Sequence, residues 1–393
     1  MESSFTFRSF YNWIVIIMVL GVFFTPSLKM FTSPEEHWSA TEQRLLTVAP
    51  TLPTTIKGLD TFFSQVDNYL KDHFGFRDNF IHRYQREMEK RFDQIGVNAP
   101  VIKGLDNWYF YTAENVLEDF QGKTPLSQGQ LEQWLSAQDT KVNWLRQQGI
   151  AYILAVGPGK QSIYPEYLLE NAMVIKGISR FEQMLTALGQ QPPPYFVNLH
   201  DVLRQSKGTK NLYYKNDTHW NMLGAYVAFQ AIFKRIADIF PGKTFRTNFT
   251  FTDDVPGMHD SSGYQGDLAR MILKEKDLNE SFPKLRNFIP CGHALPFSYG
   301  LSNINKDSDK VSFAKGCGQA ELTAVVFRDS FTVALEPFFS ENFKKVIYLW
   351  KGYDQKNMEE IMAFFKPDIV IEITVERYVF DSVAPRNKSD QGK

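Results

Sequence analysis

Over the second two thirds of the chain, continuous apolar runs alternate with stretches of helical periodicity. Residues 151–156 carry no charge and end at Gly157-Pro158-Gly159-Lys160, and further runs occupy 195–199, 322–327, 346–350 and 368–373. Runs of this length without polar alternation suit parallel strands covered on both faces. Helical spacing appears between them, at about 178–188, 222–238, 332–342 and 356–365. The pattern predicts an α/β fold with a parallel sheet flanked by helices, whose active groups gather at the carboxyl ends of the strands. Ahead of it, 131–147 reads as an amphipathic helix closed by Gly149, Trp108-Tyr109-Phe110-Tyr111 as an aromatic strand, and 58–91 as two helices bent at Gly75. The tract 249–317 is rich in Gly, Asp, Asn and Pro, includes Gly263-Tyr264-Gln265-Gly266-Asp267-Leu268-Ala269, and reads as an irregular insertion bordering the site.

The amino terminus follows a different rule. No charge interrupts residues 9–28, and roughly 20 helical residues cross a hydrocarbon core of about 30 Å. The run ends in Thr25-Pro26-Ser27-Leu28, a poor cleavage site for a signal peptide, so an uncleaved anchor is expected. Arg8 and Lys29 flank it almost symmetrically; a short inner tail with the bulk exported is the simpler topology. The expected division is an anchor over 1–30, a linker and helical extension over 31–100, the main domain over 101–380 with its insertion at 249–317, and a polar tail over 381–393.

Composition narrows the partners. A formal net charge of -1 leaves no basic field for a nucleic acid. The two cysteines, Cys291 and Cys317, leave two readings open in an exported chain. They can close a disulfide, or join His293 at a zinc ion; three loosely spaced ligands fall short of a structural tetrad. No metal or other cofactor is expected.

The candidate chemistry lies in Tyr213-Tyr214-Lys215-Asn216-Asp217-Thr218-His219-Trp220-Asn221 and in Phe327-Arg328-Asp329-Ser330-Phe331. In an extended segment Asp217 and His219 share a face, so a carboxylate can orient an imidazole. Ser330 follows an apolar strand and precedes a helix, which sets its hydroxyl at a strand's carboxyl end. Taken singly, such a serine is a helix cap and such an Asp-x-His a hydrogen-bonded pair. Together they form an acyl-transfer triad: Ser330 attacks, His219 moves the proton, and Asp217 holds the tautomer. The Ser330 amide and those of Gly157 and Gly159 are candidate oxyanion donors. Lys160, Tyr214, Trp220 and Arg328 are candidate substrate contacts, with Tyr213, Tyr214 and Trp220 a stacking wall for a sugar or, on the plainer reading, core.

Several of these motifs carry a resemblance. Asp217-Thr218-His219-Trp220-Asn221 with Gly224-Ala225, the Arg328-Asp329-Ser330-Phe331 turn, Glu42-Gln43-Arg44-Leu45-Leu46, and Lys366-Pro367-Asp368 leading to Glu376-Arg377 resemble the AlgJ/AlgX-type alginate O-acetylation family. Its domain is SGNH hydrolase-like, a flavodoxin-like parallel sheet. The similarity runs from about Glu42 to Arg377. It implies a membrane-anchored periplasmic O-acetyltransferase acting on an exported polysaccharide, with a membrane-bound O-acyltransferase as acetyl donor. The short stretch after Arg377 implies the arrangement without a carbohydrate-binding module. An esterase sharing the same acyl-enzyme, and a non-catalytic polysaccharide-binding component, are the alternatives. Plain SGNH esterases place serine first, in a Gly-Asp-Ser block, whereas here the order is Asp, His, Ser.

Overall fold

A computed structural model describes residues 7–32, 38–39, 44–53, 55, 58–92, 100–168, 176–252, 255–257, 266–272, 274, 277–278, 280–297 and 312–384. Glu42, Gln43, Gly263, Tyr264, Gln265 and the tail beyond 384 lie outside them. Two compact units are formed, one of the residues before 100 with a piece at 270–274, the other of the remaining residues from Pro100 on.

In the first unit, Phe7–Thr32 is one helix. Its segment Phe10–Thr32 is long and apolar enough to cross a membrane, with mean hydropathy 2.1. Two further helices, Leu59–His73 and Arg77–Phe92, are separated by a turn at Gly75. A side chain at Gly75 would lie 2.1 Å from the Pro26 carbonyl, so this turn requires a glycine.

The second unit is built on seven strands: β1 (Ala151–Gly157), β2 (Phe196–Val197), β3 (His293–Leu295), β4 (Phe313–Gly316), β5 (Thr323–Arg328), β6 (Lys345–Leu349) and β7 (Ile369–Val375). Their order is β2-β1-β7-β5-β6-β4-β3. The five strands of the apolar runs pair in parallel. In β5, Ala324 and Val326 point into a core with Trp220, Phe229, Phe233 and Phe338. Val325 and Phe327 point into another with Trp134, Phe181, Leu145 and Met358. Both faces are apolar because both are covered, and each buried Phe stabilises the unit by about 2–3 kcal/mol relative to exposure.

Two expectations are corrected. The sheet is mixed, not parallel, because β4 runs antiparallel to β6 and β3 antiparallel to β4. Both added strands come from the tract read as an irregular insertion and lie together at one edge of the sheet, where antiparallel pairing is common in otherwise parallel sheets. His293 opposes Gly316 in that pair, and just beyond it Cys291 and Cys317 are joined in a disulfide with Cα atoms 5.1 Å apart. The cysteines are therefore tied to each other and not to zinc. The expected helix at 332–342 is a 3-10 turn, Ser330–Ala334, followed by a separate helix, Glu336–Ser340. Pro337 lies in the first turn of the second helix, where its missing N–H is tolerated; inside one continuous helix it would break a hydrogen bond.

Candidate active site

Asp217, Thr218 and His219 do not lie in an extended strand. They form the tip of a narrow loop closed by a bridge between Tyr213 and Trp220 and by the Tyr214 N–H donating to the His219 carbonyl. Asp217 still reaches the ring, because its Oδ1 accepts both the His219 N–H, at 2.8 Å, and Nδ1–H, at 2.6 Å. An aspartate that bonds two residues ahead makes its own turn, so the Asp-x-His spacing works through a local bend and not through strand alternation. Asn221 then starts the helix Met222–Ile239 by accepting from the amides of Leu223 and Gly224. A side chain at Gly224 would come within 2.2 Å of the Leu212 carbonyl, which accounts for that glycine.

Ser330 enters from the other half. Asp329 caps the turn after β5: its Oδ1 accepts from the Phe331 amide and its Oδ2 from the Val375 amide at 2.6 Å. This bond fastens the serine turn to the end of β7. Trp220 fastens it to the histidine loop, donating Nε1–H to the Phe331 carbonyl at 3.0 Å. Between these ties the Ser330 Oγ lies 2.7 Å from His219 Nε2. The bonds assign a proton to Nδ1 and leave Nε2 to accept from the serine. The His219 side chain keeps 22% exposure while Asp217 keeps 2%, so the ring reaches solvent and the carboxylate that holds it does not.

A second carboxylate completes the array. Asp267 accepts the Thr218 amide and hydroxyl at 2.7 and 2.5 Å, its own amide donates to Asp217 Oδ2 at 3.0 Å, and its Oδ2 lies 3.6 Å from His219 Nδ1. Burial opposes the charge on His219, but Asp217, by charge and hydrogen bond, and then Asp267 outweigh it, so the imidazole titrates above its usual range. Burial, and then the charge of Asp217, push the Asp267 carboxyl up. Burial also raises Asp329, against the two amides it accepts. Among the described residues, Asp217, His219 and Asp267 are the one group whose ligand atoms could hold a metal, all within 4.8 Å. Their oxygens already accept the N–H and O–H bonds described, so an ion would have to dismantle the array.

The other candidates are placed differently than expected. Lys160 is a buried internal cation: its Nζ donates to the carbonyls of Tyr214, Lys215 and Asp217 at 3.0, 3.0 and 2.7 Å, leaving no donor for a substrate. Burial holds its pKa down at about 8, against the charges of Asp217, Glu280 and Asp267. Its task is to gather the loop that carries Asp217. Lys160→Met, similar in length but without donors, is expected to lower stability to urea by about 3 kcal/mol, since three buried carbonyls lose their partner; an unchanged midpoint would contradict this role.

Tyr213, Tyr214 and Trp220 are buried and form no stacking wall. The Tyr213 hydroxyl donates to the Pro158 carbonyl, Tyr214 meets Phe282 edge to face, and Trp220 packs on Phe331. Aromatic rings hold the two halves of the site together, which is the core reading. Gly159 is not an oxyanion donor, because its amide bonds the Glu376 carboxylate. Gly157 is explained by packing: a side chain there would come within 3.0 Å of the Phe331 ring. The Ser330 amide stays available, since the first residue of a 3-10 turn has no intrahelical acceptor.

Arg328 is buried in a cage of rings, 4.4 Å above Trp350 and 5.0 Å from Phe313, and its Nε and Nη1 have no hydrogen-bond partner among the described residues. Unlike Lys160, it keeps donors to spare. Sequence reasoning missed the roles of Asp267 and Asp329, and that of Glu376, which pairs with His200 at 2.6 Å beneath the Gly157–Gly159 bend. The Gly266-Asp267-Leu268 tripeptide was the available signal. A side chain at Gly266 would lie 2.1 Å from the Asn216 carbonyl, so the glycine lets the two segments touch.

Residues 101–286 match the family model described as the SGNH hydrolase-like domain of the acetyltransferase AlgX. The probable alginate O-acetylase AlgJ of Pseudomonas putida is 28% identical over 137 residues, 35% of this chain and 34% of its own length. That of Pseudomonas aeruginosa is 25% identical over 187 residues, 47% of this chain and 44% of its own. The chain thus spans less than half the length of these curated relatives. Among solved structures, the O-acetyltransferase domain of Pseudomonas putida AlgJ aligns with a TM-score of 0.42 at 17% identity, covering 74% of this chain and 94% of that one. The resemblance to the AlgJ/AlgX type is borne out, and the fold is SGNH hydrolase-like α/β.

Proposed function

We propose that this chain, related in its SGNH hydrolase-like domain to the AlgJ/AlgX-type acetyltransferases, is an O-acetyltransferase that modifies hydroxyl groups of an exported polysaccharide through an acetyl-serine intermediate. The reading is carried by one observation: Ser330 Oγ, both nitrogens of His219 and Asp217 Oδ1 form one hydrogen-bonded line with separations of 2.7 and 2.6 Å. Ser330 Oγ attacks the acetyl carbonyl carbon while its proton passes to His219 Nε2, and the departing donor oxygen takes that proton. The acceptor hydroxyl then gives its proton to Nε2 and attacks the acetyl-serine, and the proton returns to Ser330. Asp217 steadies the imidazolium in both halves, and the Ser330 amide faces the developing oxyanion.

The Phe10–Thr32 helix, in this reading, anchors the domain at the inner membrane with its site in the periplasm. The acetyl group arrives from a membrane-bound O-acyltransferase, and Arg328 offers its unbonded N–H groups to the acceptor. The test is to incubate the full chain with an activated acetyl ester, with and without oligosaccharides, and to follow Ser330 by mass spectrometry. An acetyl-Ser330 that passes its group to sugar is the expected result. Release as acetate alone would make the enzyme an esterase, and no adduct would remove the enzyme reading.

A further inference from the structure

The second carboxylate is not part of a serine-histidine-aspartate line, yet it is built into it. Asp267 lies 50 residues beyond Asp217 in sequence and meets the loop at three points: its carboxylate takes the Thr218 amide and hydroxyl, and its amide donates to Asp217 Oδ2. Thr218 is the residue between the two line members, so holding its backbone sets the bend that lets Asp217 reach His219 Nδ1. Nearby, the Ala269 amide donates to the Asn216 carbonyl, and Glu280 accepts the amides of Lys215 and Asn216. The loop is clamped from residue 215 to residue 219.

We propose that Asp267 is a positioning residue for the transfer reaction: it holds the Asp217-Thr218-His219 bend, and its charge, 3.6 Å from Nδ1, stabilises the imidazolium that forms in each half-reaction. The inference rests on the acyl-transfer reading above. Asp217 and Asp267 face His219 with negative charge; Arg377, from the end of β7, opposes them, and Asp329 faces the ring from the serine turn. Removing one negative charge makes the imidazole a weaker base that protonates less readily. A base must be neutral to accept the serine proton, so activity appears as pH rises through the His219 pKa. Loss of Asp267 therefore shifts that rising limb to lower pH and, through the weaker base and the looser bend, lowers the plateau.

The experiment measures Ser330 acetylation by an aryl acetate against pH in the full chain, alongside a histidine NMR titration of His219. Asp267→Asn, nearly isosteric, is expected to lower the plateau about tenfold and to move both the kinetic limb and the NMR titration toward acid. Asp267→Ser, smaller and also neutral, must move both in the same direction, while Asp267→Glu keeps the charge and must leave the limb near its wild-type pH. A limb and titration unmoved in both neutral variants, whatever happens to the plateau, would reduce Asp267 to a structural contact and overturn the proposal. The acyl-transfer reading fails separately: if the wild-type chain forms no acetyl-Ser330, that reading is lost, whereas the NMR titration, which needs no turnover, still judges the charge of Asp267.

Discussion

Ser330→Ala is expected to abolish the acetyl adduct and to lower transfer to oligosaccharide by about a million-fold, to whatever substrate binding and the amide donors still provide. The fold should survive, because among the described residues the Ser330 side chain bonds to His219 and belongs to neither core. The ties of the turn belong to neighbours: Asp329 to the Phe331 and Val375 amides, and Trp220 to the Phe331 carbonyl. A melting temperature within about a degree of wild type, with loss of the adduct, separates chemistry from folding. The opposite result, transfer at near wild-type rate by the alanine variant, would reduce the domain to a polysaccharide-binding role. Without the hydroxyl, His219 Nε2 loses a donor, so its titration in this variant against wild type shows how much the serine contributes to it.

What the letters of this sequence say about the site depends on what each residue bonds to. The five parallel strands are written as apolar runs because both their faces are buried, and β1, β5 and β7 lie where the runs put them. The edge strands β3 and β4 could not be read that way. They are three and four residues long, and β4 alternates half-buried with buried positions inside a tract of turn-forming residues. Asp217, His219 and Ser330 were legible because hydroxyl, imidazole and carboxylate have few other reasons to occur in this combination. Lys160 was misread because its partners are three backbone carbonyls, and carbonyls are the same in every sequence. Trp220 and Tyr213 were ambiguous for a related reason: an aromatic that stacks on a ligand and one that bridges two core segments look identical in a string of letters. Asp267 acts on a loop 50 residues away, a link that appears only when the chain folds back.

Asp217→Asn tests the line at its far end, and about a 10,000-fold fall in turnover is expected, near 5 kcal/mol of transition-state stabilisation. The asparagine can still fill the space, and its carbonyl oxygen can still accept the Asp267 amide, so the loop stays tied to that segment. What changes is the ring. Asp217 Oδ1 at 2.6 Å requires a proton on Nδ1, which leaves Nε2 free to accept from Ser330. An amide can present N–H instead, especially with the Asp267 amide already occupying the acceptor site at the other oxygen, 3.0 Å away. If the substituted side chain turns its nitrogen toward the ring, Nδ1 becomes the acceptor, the proton moves to Nε2, and the base faces the serine with nothing to accept it. The lost charge acts in the same direction, since Asp217 is the first of the forces that hold the His219 pKa up against burial. The variant should therefore show the His219 titration displaced toward acid, and acetylation of Ser330 that recovers only as hydroxide replaces the imidazole as base at high pH. A variant that retained wild-type turnover with the titration displaced would mean that the carboxylate serves the fold and that proton transfer runs by another route.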